Sequence, residues 1–285
     1  QRAGTSDALV SDVRARFKDG ESALRQRMPT VKVEYNEDIR IPEVISPDVY
    51  RDRIEWLSAP SNAKGADILR NFVKENNNLI GVTSQQVDEL VTTADYTNPD
   101  GNLSFANLEQ RINNIPVFRG EVKAGFTQDG RIIRVINNLA PGINYGSVST
   151  DFGDPAVAVQ NAAQHIRHEL RPDEKVMNAD ASSANKVVFG EGDWATTAEK
   201  MYFPTAPGVA VPSWRVLIWQ PVNAYYVIVD ANTNTVLWHK NITDDDGTAP
   251  ATYEVYNQPN TWAKIASSAA PLSPGPNDPA LGTQG

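Results

Sequence analysis

Two stretches of this chain share one order of hydrophobic and polar positions. A run with apolar residues three or four apart, the helix period, leads into short runs in which apolar and polar residues alternate, the strand period. The first such stretch begins at residues 63–76, a predicted helix whose apolar face is Ile68, Leu69, Phe72 and Val73. The polar triplet at 76–78 and Gly81 are expected to break it, and residues 84–90 to begin another short turn. Residues 98–102 are dense in turn formers. Residues 113–140 then read as a β-meander, reversed at Asp129-Gly130, a pair suited to the positive φ angles of a tight hairpin. Phe105, Leu108, Ile112 and Val117 are expected to share one sheet face, although their irregular spacing fixes no register. Pro141-Gly142 closes the unit.

The second stretch opens at Asp154-Pro155, an N-cap followed by proline at the first helical position. Val159, Ala162, Ala163, Ile166 and Leu170 fall on one helical face, and Pro172 marks the stop. Strands are predicted at 186–189, 199–203, 214–219, 225–229 and 235–238. Alternation puts Tyr225, Val227 and Val229 on one face and Tyr226 and Ile228 on the other. One of these faces must cover the helix and the other is free to dock. Ahead of both stretches, residues 5–29 predict a helix, capped by Ser6 or Asp7 and interrupted at Gly20, then a strand at 31–35. Residues 36–60, with Pro42, Pro47 and Pro60, predict short extended pieces joined by turns.

Hairpin-length connections between the strands predict an α+β fold rather than α/β. The expected organisation is a leading helix or extension at 1–30, a first module at 31–147, a second at 148–243, and a linker with a flexible tail at 244–285. Each module is expected to be an antiparallel sheet packed on a helix. The tail reading rests on the Asp-Asp-Asp-Gly-Thr run at Asp244, Asp245, Asp246, Gly247 and Thr248 and on the Ser, Pro, Gly and Ala that dominate 267–285. A chain ending in this way reads as cut from something longer.

Composition narrows the functional classes. A net charge of -9 over 285 residues argues against a nucleic-acid partner, and no apolar run approaches the ~18 residues of a membrane helix. With no cysteine, disulfides, thiolate metal sites and cysteine nucleophiles are excluded. The chain opens at Gln1 without Met or a basic and apolar leader, consistent with a removed signal peptide or a trimmed start.

Candidate chemistry is sparse. The three histidines, His165, His168 and His239, form no H-E-x-x-H; His165 and His168 are read as solvated helix residues. The run Asp230 to Thr235 imitates the start of a calcium loop but has Thr at its sixth position and Asn241 at its twelfth, so a hairpin turn is expected. The three aspartates at 244–246 are read as solvated, and there is no G-x-S-x-G. Asn102 and Asn241 open glycosylation sequons. Trp214, Trp219, Tyr225, Tyr226 and Trp238 are expected to pack in the core, with any outward members available to a partner.

At these residues the chain resembles the pro-segment of the fungalysin family of zinc metallopeptidases over roughly 30–243. The helix at 63–76 with I-P-V-F-R-G-E-V (115–122) and D-G-R-I-I-R-V (129–135) looks like the fungalysin/thermolysin propeptide module, with Glu109-Gln110 at the polar positions upstream. Asn114 stands where that family has Gly. W-R-V at 214–216 and the run 225–237 look like a PepSY module, with Asn234 again in place of Gly. A-T-Y-E-V-Y at 251–256 resembles the opening of the mature catalytic domain. The resemblance implies two cystatin/PepSY-like modules and a non-enzymatic, secreted pro-segment. Such a segment helps a zinc metalloendopeptidase fold, blocks its cleft, and is cleaved off within about 244–251. The implied partner is the cognate catalytic domain, which would hold the zinc; this chain itself would take no cofactor. A stand-alone PepSY-type secreted binding or protease-inhibitor protein is the alternative.

Overall fold

The elements follow the sequence pattern closely enough that each can be traced to its residues. The structure, a computed structural model, describes residues 7–37, 39–99 and 101–243. Helix α1 (Asp7–Arg27) runs straight through Gly20, contrary to the expected interruption. Glycine is needed there for another reason: a Cβ on Gly20 would collide with the backbone of Leu79. It lets α1 lie directly against the short helix α3 (Asn77–Ile80), the turn that follows α2 (Gly65–Glu75) instead of the expected break. Helix α4 (Ser84–Asp88) is set by a capping box in which Thr83 and Gln86 each satisfy the other's backbone N–H.

Strands β1 (Lys32–Tyr35) and β2 (Pro42–Ser46) form a hairpin that continues through β6 (Ile132–Asn137) to β5 (Ile115–Thr127). On the other edge of β5 lie β4 (Leu103–Ile112) and β3 (Val91–Thr97). Helix α2 packs Ile68, Leu69, Phe72 and Val73 against this sheet, in one core with Leu108, Val122, Phe126 and Val135. Ala106, Leu108, Gln110 and Ile112 alternate inward along β4. Phe105 therefore faces away from Leu108 and Ile112, correcting their expected common face, and lies 5.5 Å from Tyr96 on the exposed side.

Helix α5 (Pro155–His165) starts where Asp154 and Pro155 predict it, the Asp154 carboxylate accepting from Ala156 N at 2.8 Å. It stops at His165, five residues short of the expected Leu170, because Ile166 and the left-handed Arg167 (φ 56°) leave the helical path. After a single 3-10 turn at Asp173–Lys175 come β7 (Lys186–Phe189), β8 (Thr196–Ala206), β9 (Val209–Trp219), β10 (Ala224–Asp230) and β11 (Val236–Asn241), all paired antiparallel. A second core joins Ala158, Val159, Ala162 and Ala163 of α5 to Tyr202, Trp214, Val216, Val227 and Val229. The fold is α+β. Among the described residues one strand contact is parallel: Val117 to Tyr202 lets β8 take the place beside β5 that β6 vacates and joins β1 to β11 into one curled sheet.

Candidate functional site

The joint between β5 and its neighbours is where the backbone is least regular. Glu109 pairs with Glu121 and Arg111 pairs with Pro116, so Val117, Phe118, Arg119 and Gly120 bulge out opposite Gln110 alone. Gln110 fills the inside of the bulge. Its side chain is fully buried, accepting from Ala140 N at 2.7 Å and donating to Ala140 O and the Tyr145 hydroxyl at 3.1 and 2.9 Å. The outside carries Phe118, stacked 5.1 Å from Phe203 and 5.1 Å from Trp238. Arg119 lies over both Phe118 and Trp238, at 5.2 and 5.5 Å from the ring centroids. In a flat sheet the four strand spacings from β5 to β11 would put these residues about 19 Å apart. The ring contact therefore shows how strongly the sheet curls about this face.

The same face continues along β9, β10 and β11 with Tyr226, Trp238 and Lys240. Arg215 sits 5.1 Å over the Tyr226 ring and pairs with Glu199, which also meets Lys186 at 3.3 Å. Burial works against ionisation of Glu199, but Arg215 and Lys186 outweigh it and hold its carboxyl below the usual range. The opposite face, bearing Val227 and Val229 with Tyr225 beside them, covers α5. That settles the choice that alternation left open: the Tyr226 side is the one not occupied by the helix. Trp214 is core, its indole N–H donating to Phe152 O at 2.6 Å, whereas Trp219 meets the exposed Trp194 edge-on at 4.9 Å.

The histidines are not brought together as helix neighbours. The ring nitrogens of His165 and His239 lie 3.1 Å apart, so one ring donates and the other accepts. His168, expected to be solvated, is instead only 10% exposed and donates to Glu174 at 3.1 Å. Glu174 also accepts from Arg171 N at 2.8 Å and from the Thr196 hydroxyl at 2.9 Å. Burial alone would raise its pKa, but these donors hold the carboxyl below the usual range. No group of three or more metal-ligating side chains occurs among the described residues.

The Asp230 carboxylate accepts from Asn232 N and Thr233 N at 2.8 and 2.9 Å, as the hairpin reading requires. Asn114 and Asn234, standing for glycine, adopt φ 66° and 58°. A polar cleft of about 660 Å³ between α3, α4 and the loop at 142–146 is lined by Asn77, Gln85, Asn113, Asn144 and Tyr145, with Arg16 and Glu89 also on its wall. Asp244, Asp245, Asp246, Gly247 and Thr248, with the run at 251–256, lie outside the described residues. The bulge, the Phe118–Phe203–Trp238 cluster and the Glu174 network were not anticipated from sequence. The juxtaposition of Phe-Arg-Gly with a mid-strand turn of register leaves no mark in periodicity.

Residues 88–139, from the end of α4 through β6, match the model of the Fungalysin/Thermolysin Propeptide Motif. No curated protein matches the chain. Among solved structures, the Bacillus megaterium YpeB C-terminal domain is similar at 9% identity and a TM-score of 0.29, covering 80% of this chain and 97% of that one. At that score the likeness assigns neither fold nor function.

Proposed function

We propose that this chain is the pro-segment of a thermolysin/fungalysin-type zinc metalloendopeptidase, an inhibitory and folding-assisting part of the precursor. The observation that supports it is the propeptide motif at 88–139, which falls on β3 to β6 and holds its two tight turns. Within this reading, 31–147 is the propeptide module and 148–243 a PepSY-like one. Their cores, around α2 and α5, are the two bodies set against the protease. The partner is the cognate catalytic domain, which supplies the zinc and the catalytic residues; the precursor is secreted. Cleavage at Asp244, Asp245, Asp246, Gly247 or Thr248, just past β11, frees the enzyme.

Titration of the separately purified mature protease with this chain, read as residual peptidase activity, tests the proposal. Stoichiometric inhibition is expected. Activity untouched at large excess rules out cleft blocking, and N-terminal sequencing of the mature enzyme that starts far from 244–251 rules out the processing segment.

A further inference from the structure

Arg119 is held in a conformation that its side chain does not favour. Its φ of 52° lies in the left-handed region, where an L-residue without a local side-chain hydrogen bond is strained and glycine is not. The residue is exposed, and it makes no ion pair or hydrogen bond among the described residues. Packing does not require the charge, since Phe203 and Trp238 both already pack on Phe118. What the bulge does achieve is to hold the guanidinium carbon 5.2 and 5.5 Å from the Phe118 and Trp238 ring centroids, with no protein group bonded to its N–H donors among the described residues. Stacked arginine keeps its in-plane donors for a carboxylate fork.

The surroundings are cationic in an acidic protein. On this face of β7 to β11 and the bulge stand Arg119, Lys186, Arg215 and Lys240. Against them are Glu199, which Lys186 and Arg215 share, and Asp230, which is taken up by the N–H groups of its own turn. Arg215 also keeps its Nε buried without a hydrogen-bond partner. The chain as a whole carries -9, so this face runs against the general charge. Arginine and tryptophan together are the residue types that dominate binding energy at protein interfaces.

We infer that the Phe118–Arg119–Trp238 face is a docking surface. Arg119 is its anchor, and the occupant is the surface of the protease catalytic domain, engaged through an Asp or Glu side chain. This rests on the pro-segment reading and adds to it the face and the residue.

The test measures the inhibition constant of the full chain against the mature protease together with the melting temperature, for wild type, Arg119→Gly and Arg119→Lys. Glycine relieves the backbone and removes the anchor. Arg119→Gly is therefore expected to melt at or a few degrees above wild type and to inhibit about thirtyfold more weakly. Arg119→Lys keeps the charge but loses the planar fork, and is expected to melt as wild type and inhibit about fivefold more weakly. An Arg119→Gly chain that melts higher and inhibits as wild type overturns the inference. So does one that melts lower while Arg119→Lys inhibits as wild type, since Arg119 would then be structural. Wild-type chain that neither binds nor inhibits the protease removes the pro-segment reading itself, and this anchor with it.

Discussion

Replacing Glu174 with Gln should destabilise the fold at neutral pH and do so much less in acid. The Glu174 side chain is fully buried, and its two oxygens serve four donors: Arg171 N, His168 Nε2, the Thr196 hydroxyl and, at 3.4 Å, the Arg171 guanidinium. An amide retains one acceptor oxygen and can donate to Thr196, whose hydroxyl can turn to accept. It loses the charge assistance to His168 and Arg171, a loss of about 2 kcal/mol. Alanine, which leaves all the donors without a partner, should cost about 4 kcal/mol. The carboxyl is held below its ordinary pKa in the folded state. Its contribution is thus fully present above the unfolded carboxylate value of about 4.3 and is lost as pH falls through the lower folded value. Urea unfolding of wild type and Glu174→Gln, followed by tryptophan fluorescence at pH 7 and near pH 3, measures both effects, since titrating groups that do not touch Glu174 cancel in the difference. A gap under about 0.5 kcal/mol at pH 7, or one that keeps its size in acid, would refute the network as a source of stability.

Two further substitutions probe the backbone. Gly20→Ala should lose about 1–3 kcal/mol in urea unfolding, because the added methyl meets the Leu79 backbone and α1 must lift from α3; an unchanged midpoint would mean that α1 is not held there. Asn114→Ala and Asn234→Ala should each lose about 1 kcal/mol, since alanine resists the left-handed φ that Asn tolerates, while the glycine variants should match or exceed wild type in melting temperature.

What the sequence made legible, and what it hid, divides along physical lines. The α2 face, the Asp129-Gly130 hairpin and the Asp154-Pro155 helix start are set by side chains within a few residues of one another, and each stands where the pattern puts it. Substitution of Gly by Asn at 114 and 234 was readable because it concerns only the local φ. Gly20 misled because its reason, the backbone of Leu79, is 59 positions away. His168 misled likewise: the helix that was to display it ends at His165, and the acid that buries it belongs to the following turn. The candidate docking face was the least legible, since it depends on a bulge in β5 meeting β8 and β11 across a curled sheet. Periodicity could offer two faces of β10 but not decide between them, because the deciding contact is with α5.

The boundary expected near residue 147 has an energetic consequence. The core around α5 includes Ile112, Ile115, Val117 and Ile143, all from the earlier side of that boundary and all no more than 8% exposed. Leaving four such side chains in water would forfeit roughly 8 kcal/mol of apolar burial, comparable to the whole stability of an ordinary domain. Strand β5 has the same effect through the backbone, since its two halves border different neighbours. The two cores should therefore unfold together. Calorimetry of the full chain is expected to give a single transition, and a fragment ending at residue 147 to give no cooperative endotherm. Two resolved transitions in the full chain, one of them reproduced by the fragment, would show that each core stands alone and that β5 is a linker rather than a shared wall. The distinction bears on inhibition. If the cores are coupled, a cut anywhere in β5 or in the loop after β6 should dismantle the docking face as well as the module it falls in, so an activating protease would need only one break to release the enzyme.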